Sequence, residues 1–98
     1  MLAAIDTILA ESATPPLIII QGDHGPWLQP REKRMWILNA YYLPGHADLL
    51  YPVISPVNSF RLVFNAYFGG KYDMLADVSY YSPVPRLYEF TEVRNVCK

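Results

Sequence analysis

A run of apolar residues, Leu17-Ile18-Ile19-Ile20, follows a double proline and leads straight into Gln21-Gly22-Asp23-His24-Gly25-Pro26. Pro15-Pro16 cannot continue a helix, and a β-branched run without a polar face is the pattern of a central parallel strand covered on both sides. Open α/β sheets place their ligand sites at the carboxyl ends of strands. Any chemistry in this chain is therefore expected to begin in the Gln21–Pro26 turn.

The remaining segments fit that frame. Leu2, Ile5, Ile8 and Leu9 fall on one side of a helical wheel, with Asp6, Thr7 and Glu11 elsewhere, which predicts a helix from Leu2 to Glu11 that stops over Ser12 to Pro16. Gly25-Pro26 favours a sharp turn, and Pro30 keeps the chain irregular up to Arg34. Met35 to Tyr42 reads as a second strand, closed by Leu43-Pro44-Gly45 and followed by a loop from His46 to about Ile54. Ser55-Pro56 supplies an N-cap and a first-turn proline. Val57, Phe60, Phe64, Tyr67 and Phe68 then recur at helical spacing until Gly69-Gly70 ends the element. After a polar turn at Asp73, a short segment spans Val78 to Tyr81, Pro83 and Pro85 interrupt, and Arg86 to Val93 reads as a final strand. No repeat or low-complexity tract interrupts the order, which belongs to the α/β class and to a single domain over residues 1–98.

Composition removes several function classes. The net charge is -1 and the eight Lys and Arg are scattered, without the basic stripe of a nucleic-acid binder; Arg31, Lys33 and Arg34 are interrupted by Glu32 and read as a solvated loop. No apolar stretch approaches the roughly 20 residues that span a bilayer. Met1 to Ala10 contains Asp6 and lacks a basic beginning, so an amphipathic helix describes it better than a signal peptide. The lone Cys97 excludes both an internal disulfide and a paired-cysteine metal motif. Eight Tyr, four Phe and two Trp are more than a chain of 98 residues covers easily, so aromatic surface is expected to remain exposed or to meet a partner.

Asp23 and His24 can both reach one cation if the backbone turns after the strand, because carboxylate oxygen and imidazole nitrogen suit zinc or manganese. Two ligands alone hold a metal weakly, and an Asp-led turn with a solvent-facing histidine produces the same dipeptide. His46, on the loop after the second strand, reads either as a further ligand or acid or as an exposed loop histidine. Trp27 and Trp36 read as pocket walls or as core and rim packing.

The segment Leu17 to Gly25 resembles the apolar strand and Asp-His-Gly turn of the alkaline phosphatase superfamily, which includes sulfatases, phosphoethanolamine transferases and lipoteichoic acid synthases. Arg34-Met35-Trp36-Ile37-Leu38 through Tyr42-Leu43-Pro44-Gly45 is similar to the Arg-led strand that follows the metal turn in sulfatase-like proteins. Ile54-Ser55-Pro56-Val57-Asn58 through Phe68-Gly69 is similar to the helix placed afterwards, with Asn58 where an Asp is usual and no Pro-Thr. The resemblance covers about residues 2 to 70.

That resemblance implies a partial alkaline phosphatase-like sheet with flanking helices, the carboxy-terminal part of a sulfatase-like domain. It also implies a divalent zinc or manganese ion at Asp23 and His24, acting in hydrolysis or transfer at a phosphate or sulfate ester. The family's nucleophile and a further acidic ligand lie upstream of this turn, and the Cys-X-Pro-X-Arg motif is absent. The metal site is therefore expected to be weak and the chain inactive alone. The stretch after Gly25 is shorter than in sulfatases, where it contributes a Lys or His to the substrate group; either Lys33 substitutes or that function is lost. Related families often act outside the cytoplasm. Partners follow from the uncovered aromatics: self-association, with Tyr41, Tyr42, Tyr80 and Tyr81 as contacts, or an amino-terminal portion. The alternative reading is a small non-catalytic α/β interaction module that binds through its tyrosines.

Overall fold

The computed structural model describes residues 1–94. Cys97 lies outside them. The elements are α1 (Leu2–Glu11), β1 (Ile18–Gln21), α2 (Arg31–Arg34), β2 (Asn39–Tyr42), α3 (Pro56–Phe68), β3 (Ser79–Tyr81) and β4 (Thr91–Val93), with 3-10 turns at Ala47–Leu49 and Val84–Arg86. This is a small mixed helix and strand domain, with two separate two-stranded sheets.

The central parallel strand is not what forms. β1 pairs with β2 antiparallel, Ile18 opposite Tyr42 and Gln21 opposite Asn39, and all of β1 is only partly buried. An apolar run specifies burial but not the direction of its neighbour, and here a long excursion between the strands brings the chain back beside β1 in reverse. β2 is also shorter than the Met35–Tyr42 segment. Pro30 opens one helical turn, with the Lys33 and Arg34 N–H groups donating to its carbonyl, and this turn displaces both the irregular segment and the start of the strand.

Strand alternation sends Ile19, Gln21, Asn39 and Tyr41 to one face, and α3 packs there. Leu43, Leu62 and Val63 form the buried centre, surrounded by Leu17, Ile19, Tyr41, Leu50, Ile54 and Tyr67. Polar groups join the same interface: the Tyr41 hydroxyl lies 2.5 Å from Ser59 Oγ, and Gln21 Nε2 donates to Asn39 Oδ1 at 3.1 Å. α1 takes its expected bounds yet buries none of its residues.

α3 begins at Ser55-Pro56 as its sequence dictates, but the cap comes from elsewhere. Ser55 makes no side-chain cap bond; its backbone N–H and its Oγ both donate to Asp77 Oδ1, at 2.7 and 2.5 Å. The helix ends at Gly69, whose φ of +65° is the left-handed conformation that glycine adopts without Cβ strain. In the last third, Arg86 to Val93 contributes a strand only over Thr91–Val93, paired antiparallel with β3. Pro83 and Pro85 hold a 3-10 turn before it, and the turn is continued by Glu89 N–H donating to the Arg86 carbonyl.

Candidate functional site

The excursion from Gly22 to Leu38 and the loop from Leu50 to Pro56 form the walls of a cleft of about 900 Å³. Asp23, His24, Trp27, Arg34, Trp36 and Tyr81 are among its lining residues, together with Tyr41, Tyr51, Ser55 and the aliphatic Ile37, Leu50, Val53 and Ile54. Its mouth is built by a close backbone approach. The Gly25 N–H donates to the Arg34 carbonyl at 2.7 Å, and a Cβ on Gly25 would lie 2.4 Å from the Lys33 carbonyl oxygen and 2.8 Å from that of Arg34. Only glycine lets the Asp-His turn lie against the end of α2.

Asp23 and His24 stand at the carboxyl end of β1, the former almost fully exposed and the latter half-exposed. His24 Nδ1 lies 2.7 Å from the Gly25 carbonyl, which can only accept, so this nitrogen carries a proton. In the neutral ring, Nε2 then holds the free lone pair, and it lies 3.8 Å from Asp23 Oδ1. Two ligands of a tetrahedral zinc, each about 2.1 Å from the metal, are about 3.4 Å apart, so a small side-chain rotation brings this pair into range of one cation. A backbone carbonyl that fixes the histidine tautomer is the outer-shell arrangement metal-bound histidines use. Among the described residues no third His, Cys, Asp or Glu joins them. When His24 is protonated, the same contact is an ion pair with Asp23.

Lys33 and His46 lie apart from the cleft lining. The Lys33 ammonium sits over the Trp36 ring, 5.8 Å from its centroid, and His46 meets the Tyr67 ring edge-on at 4.8 Å. Trp27 and Trp36 are both exposed at the cleft, 64% and 49%, so they form its walls and not the core.

Arg34 carries more than a solvated-loop reading allowed. Its Nε and Nη2 donate to the Trp27 carbonyl at 3.2 and 2.8 Å, and Nη1 donates to the Tyr81 hydroxyl at 3.3 Å. The guanidinium carbon lies 5.0 Å from the Trp27 ring centroid and 5.7 Å from that of Tyr81. Tyr81 is far away in sequence, so no local pattern announces this clamp.

A second group missed in the sequence is centred on Asp77. Its carboxylate accepts from Ser55, from the Tyr51 hydroxyl at 2.6 Å and from Asn58 Nδ2 at 3.0 Å. Asn58 is fully buried and also clasps the Leu75 backbone in both directions, at 2.7 and 2.9 Å. Burial alone would raise the Asp77 pKa, but the hydrogen bonds from Ser55, Tyr51 and Asn58 outweigh it and hold the carboxyl below its ordinary range. Burial, reinforced by the bond to Asp77, pushes the Tyr51 hydroxyl up. A carboxylate stabilised in this way is a weak base, so Ser55 beside it is a helix anchor and not an activated nucleophile.

The fold and site thus define a small mixed domain with an aromatic-walled cleft and an Asp-His pair at its rim. No protein-family model, curated protein or solved structure matches this chain.

Proposed function

We propose that this chain is the metal-binding portion of a sulfatase- or phosphatase-like hydrolase or phospho-group transferase, a relative of the alkaline phosphatase superfamily. The observation that carries the reading is the His24 tautomer. With Nδ1–H committed to the Gly25 carbonyl, Nε2 is free beside the Asp23 carboxylate at the end of β1. Zinc or manganese bound there would polarise an ester oxygen at the cleft mouth. With two protein ligands among the described residues the affinity is weak, and with no activated hydroxyl among them the covalent step is missing, so the chain alone is expected to turn over no ester. Lys33 and His46 would join the site only after rearrangement, Lys33 by leaving Trp36 and His46 by leaving Tyr67.

Calorimetric titration with zinc and with manganese tests this reading: weak binding that disappears in Asp23→Ala and in His24→Ala supports it. Unchanged binding in the double variant overturns it, as does metal-dependent hydrolysis of aryl phosphate or sulfate by the purified chain that His24→Ala abolishes.

A second reading is favoured by the exposure of Tyr42, Tyr80, Tyr88 and Phe90, at 45%, 58%, 91% and 66%. On it the chain is a non-catalytic module that contacts a partner through rigid aromatic side chains.

A further inference from the structure

The geometry points to a binding site for an amphipathic anion in the cleft: an aromatic or otherwise flat apolar body against Trp27 and Trp36, with its phosphate, sulfate or carboxylate head on Arg34. As a statement about substrate class it rests on the reading of the cleft as an ester-handling site, although the Arg34 contact itself needs no cation.

The volume of about 900 Å³ falls in the range of roughly 300–1,000 Å³ typical of small-ligand pockets, and a mainly apolar lining with a few convergent polar groups is their usual composition. The polar group with charge to offer is Arg34. Its three hydrogen bonds go to a backbone carbonyl and a phenol, which leaves one N–H on each terminal nitrogen uncommitted among the described residues. No carboxylate ion-pairs with it among the described residues. A guanidinium set close to two aromatic rings, fixed by three hydrogen bonds and with no ion-pair partner among the described residues, is pre-organised for a forked contact with an oxyanion. The Arg31 guanidinium carbon, 5.4 Å from the centroid of the same Tyr81 ring, adds positive potential nearby. Asp23 opposes this from the rim, but its carboxylate is 92% exposed, so water screens its repulsion.

The test uses the intact chain and the fluorescence of its two tryptophans, both of which line the cleft. 1-Naphthyl phosphate and 1-naphthyl sulfate are titrated in EDTA, with 1-naphthol and inorganic phosphate as the neutral body and the bare head. Saturable quenching by the esters below about 1 mM is expected, with each half alone at least tenfold weaker. Arg34→Gln should weaken the esters about tenfold or more and leave 1-naphthol unchanged; Arg34→Lys should fall between. Because Arg34 also props Trp27 and Tyr81, circular dichroism checks folding, while the ligand series on the unaltered protein needs no variant. Equal affinity for naphthol and its phosphate overturns the inference, and so does absence of ester binding. Binding that requires added zinc also overturns it, while leaving the metal reading intact. Ester binding in EDTA by a chain that takes up no zinc has the opposite meaning: the anion site stands and the metal reading fails.

Discussion

At the scale of single residues, two side chains and one missing side chain decide the local order. The fully buried Asn58 side chain bonds the N–H and carbonyl of Leu75 and one oxygen of Asp77, so Asn58→Ala removes three hydrogen bonds and leaves a cavity, although Ser55 still donates to that Asp77 oxygen. A loss of about 2–4 kcal/mol is expected, read from the shift of a urea midpoint. Asp77 gives a pH signature. A carboxyl depressed in the folded state contributes stability that is fully present above its unfolded value, about 3.9, and is lost as pH falls through the lower folded value. Urea midpoints should therefore drop from pH 6 to pH 3, and Asp77→Asn should flatten that dependence while lowering stability at neutral pH. Gly25 is the missing side chain: Gly25→Ala sets a methyl against the carbonyls of Lys33, Arg34 and Trp36. It should cost about 1–3 kcal/mol by thermal or urea unfolding, and open the cleft mouth in the same step. Of these residues, only Asp23, His24 and the turn around Gly25 were legible in the sequence, because their significance lies in adjacency. Arg34 with Tyr81, and Asp77 with Ser55, depend on contacts across much of the chain that no local spacing encodes.

At the scale of elements, legibility follows how locally each one is specified. α1 and α3 match their expected extents because periodicity, Ser55-Pro56 and Gly69-Gly70 act within one or two turns. Strands depend on partners. Leu17–Ile20 reads as extended and apolar, yet the partner of β1 is antiparallel β2, and its burial is partial because α3 covers one face only. The final strand shrinks to Thr91–Val93 for a local reason, the turn set by Pro83 and Pro85 and continued by the Arg86–Glu89 ion pair at 2.9 Å. α3 also presents Phe60, Phe64 and Phe68 on the side away from the core, and Tyr72 from the segment after the helix joins them, ring against ring at 6.0 to 6.4 Å.

At the scale of the whole molecule, the chain exposes 7522 Å², against about 5,700 Å² for a folded monomer of its mass. Its radius of gyration is 16.0 Å, where a compact chain of this length has about 12.6 Å. The excess surface exceeds the roughly 800 Å² per partner of a standard interface, and much of it is apolar, from α1, the α3 ridge and the aromatic residues of the last third. The expected outcome is self-association, seen as a mass that rises with concentration in sedimentation equilibrium; a single monomeric mass that binds no hydrophobic dye contradicts it. Tyr42 and Tyr80 are free to take part, whereas Tyr41 and Tyr81 are engaged with Ser59 and Arg34. The metal-binding claim is tested most directly by nitrogen-15 NMR of the His24 ring during zinc titration of the intact chain. If Asp23 and His24 hold the ion, Nε2 shifts as it takes up the metal while Nδ1 keeps its proton toward Gly25; a ring unchanged at saturating zinc, or one that binds through Nδ1, rules this site out.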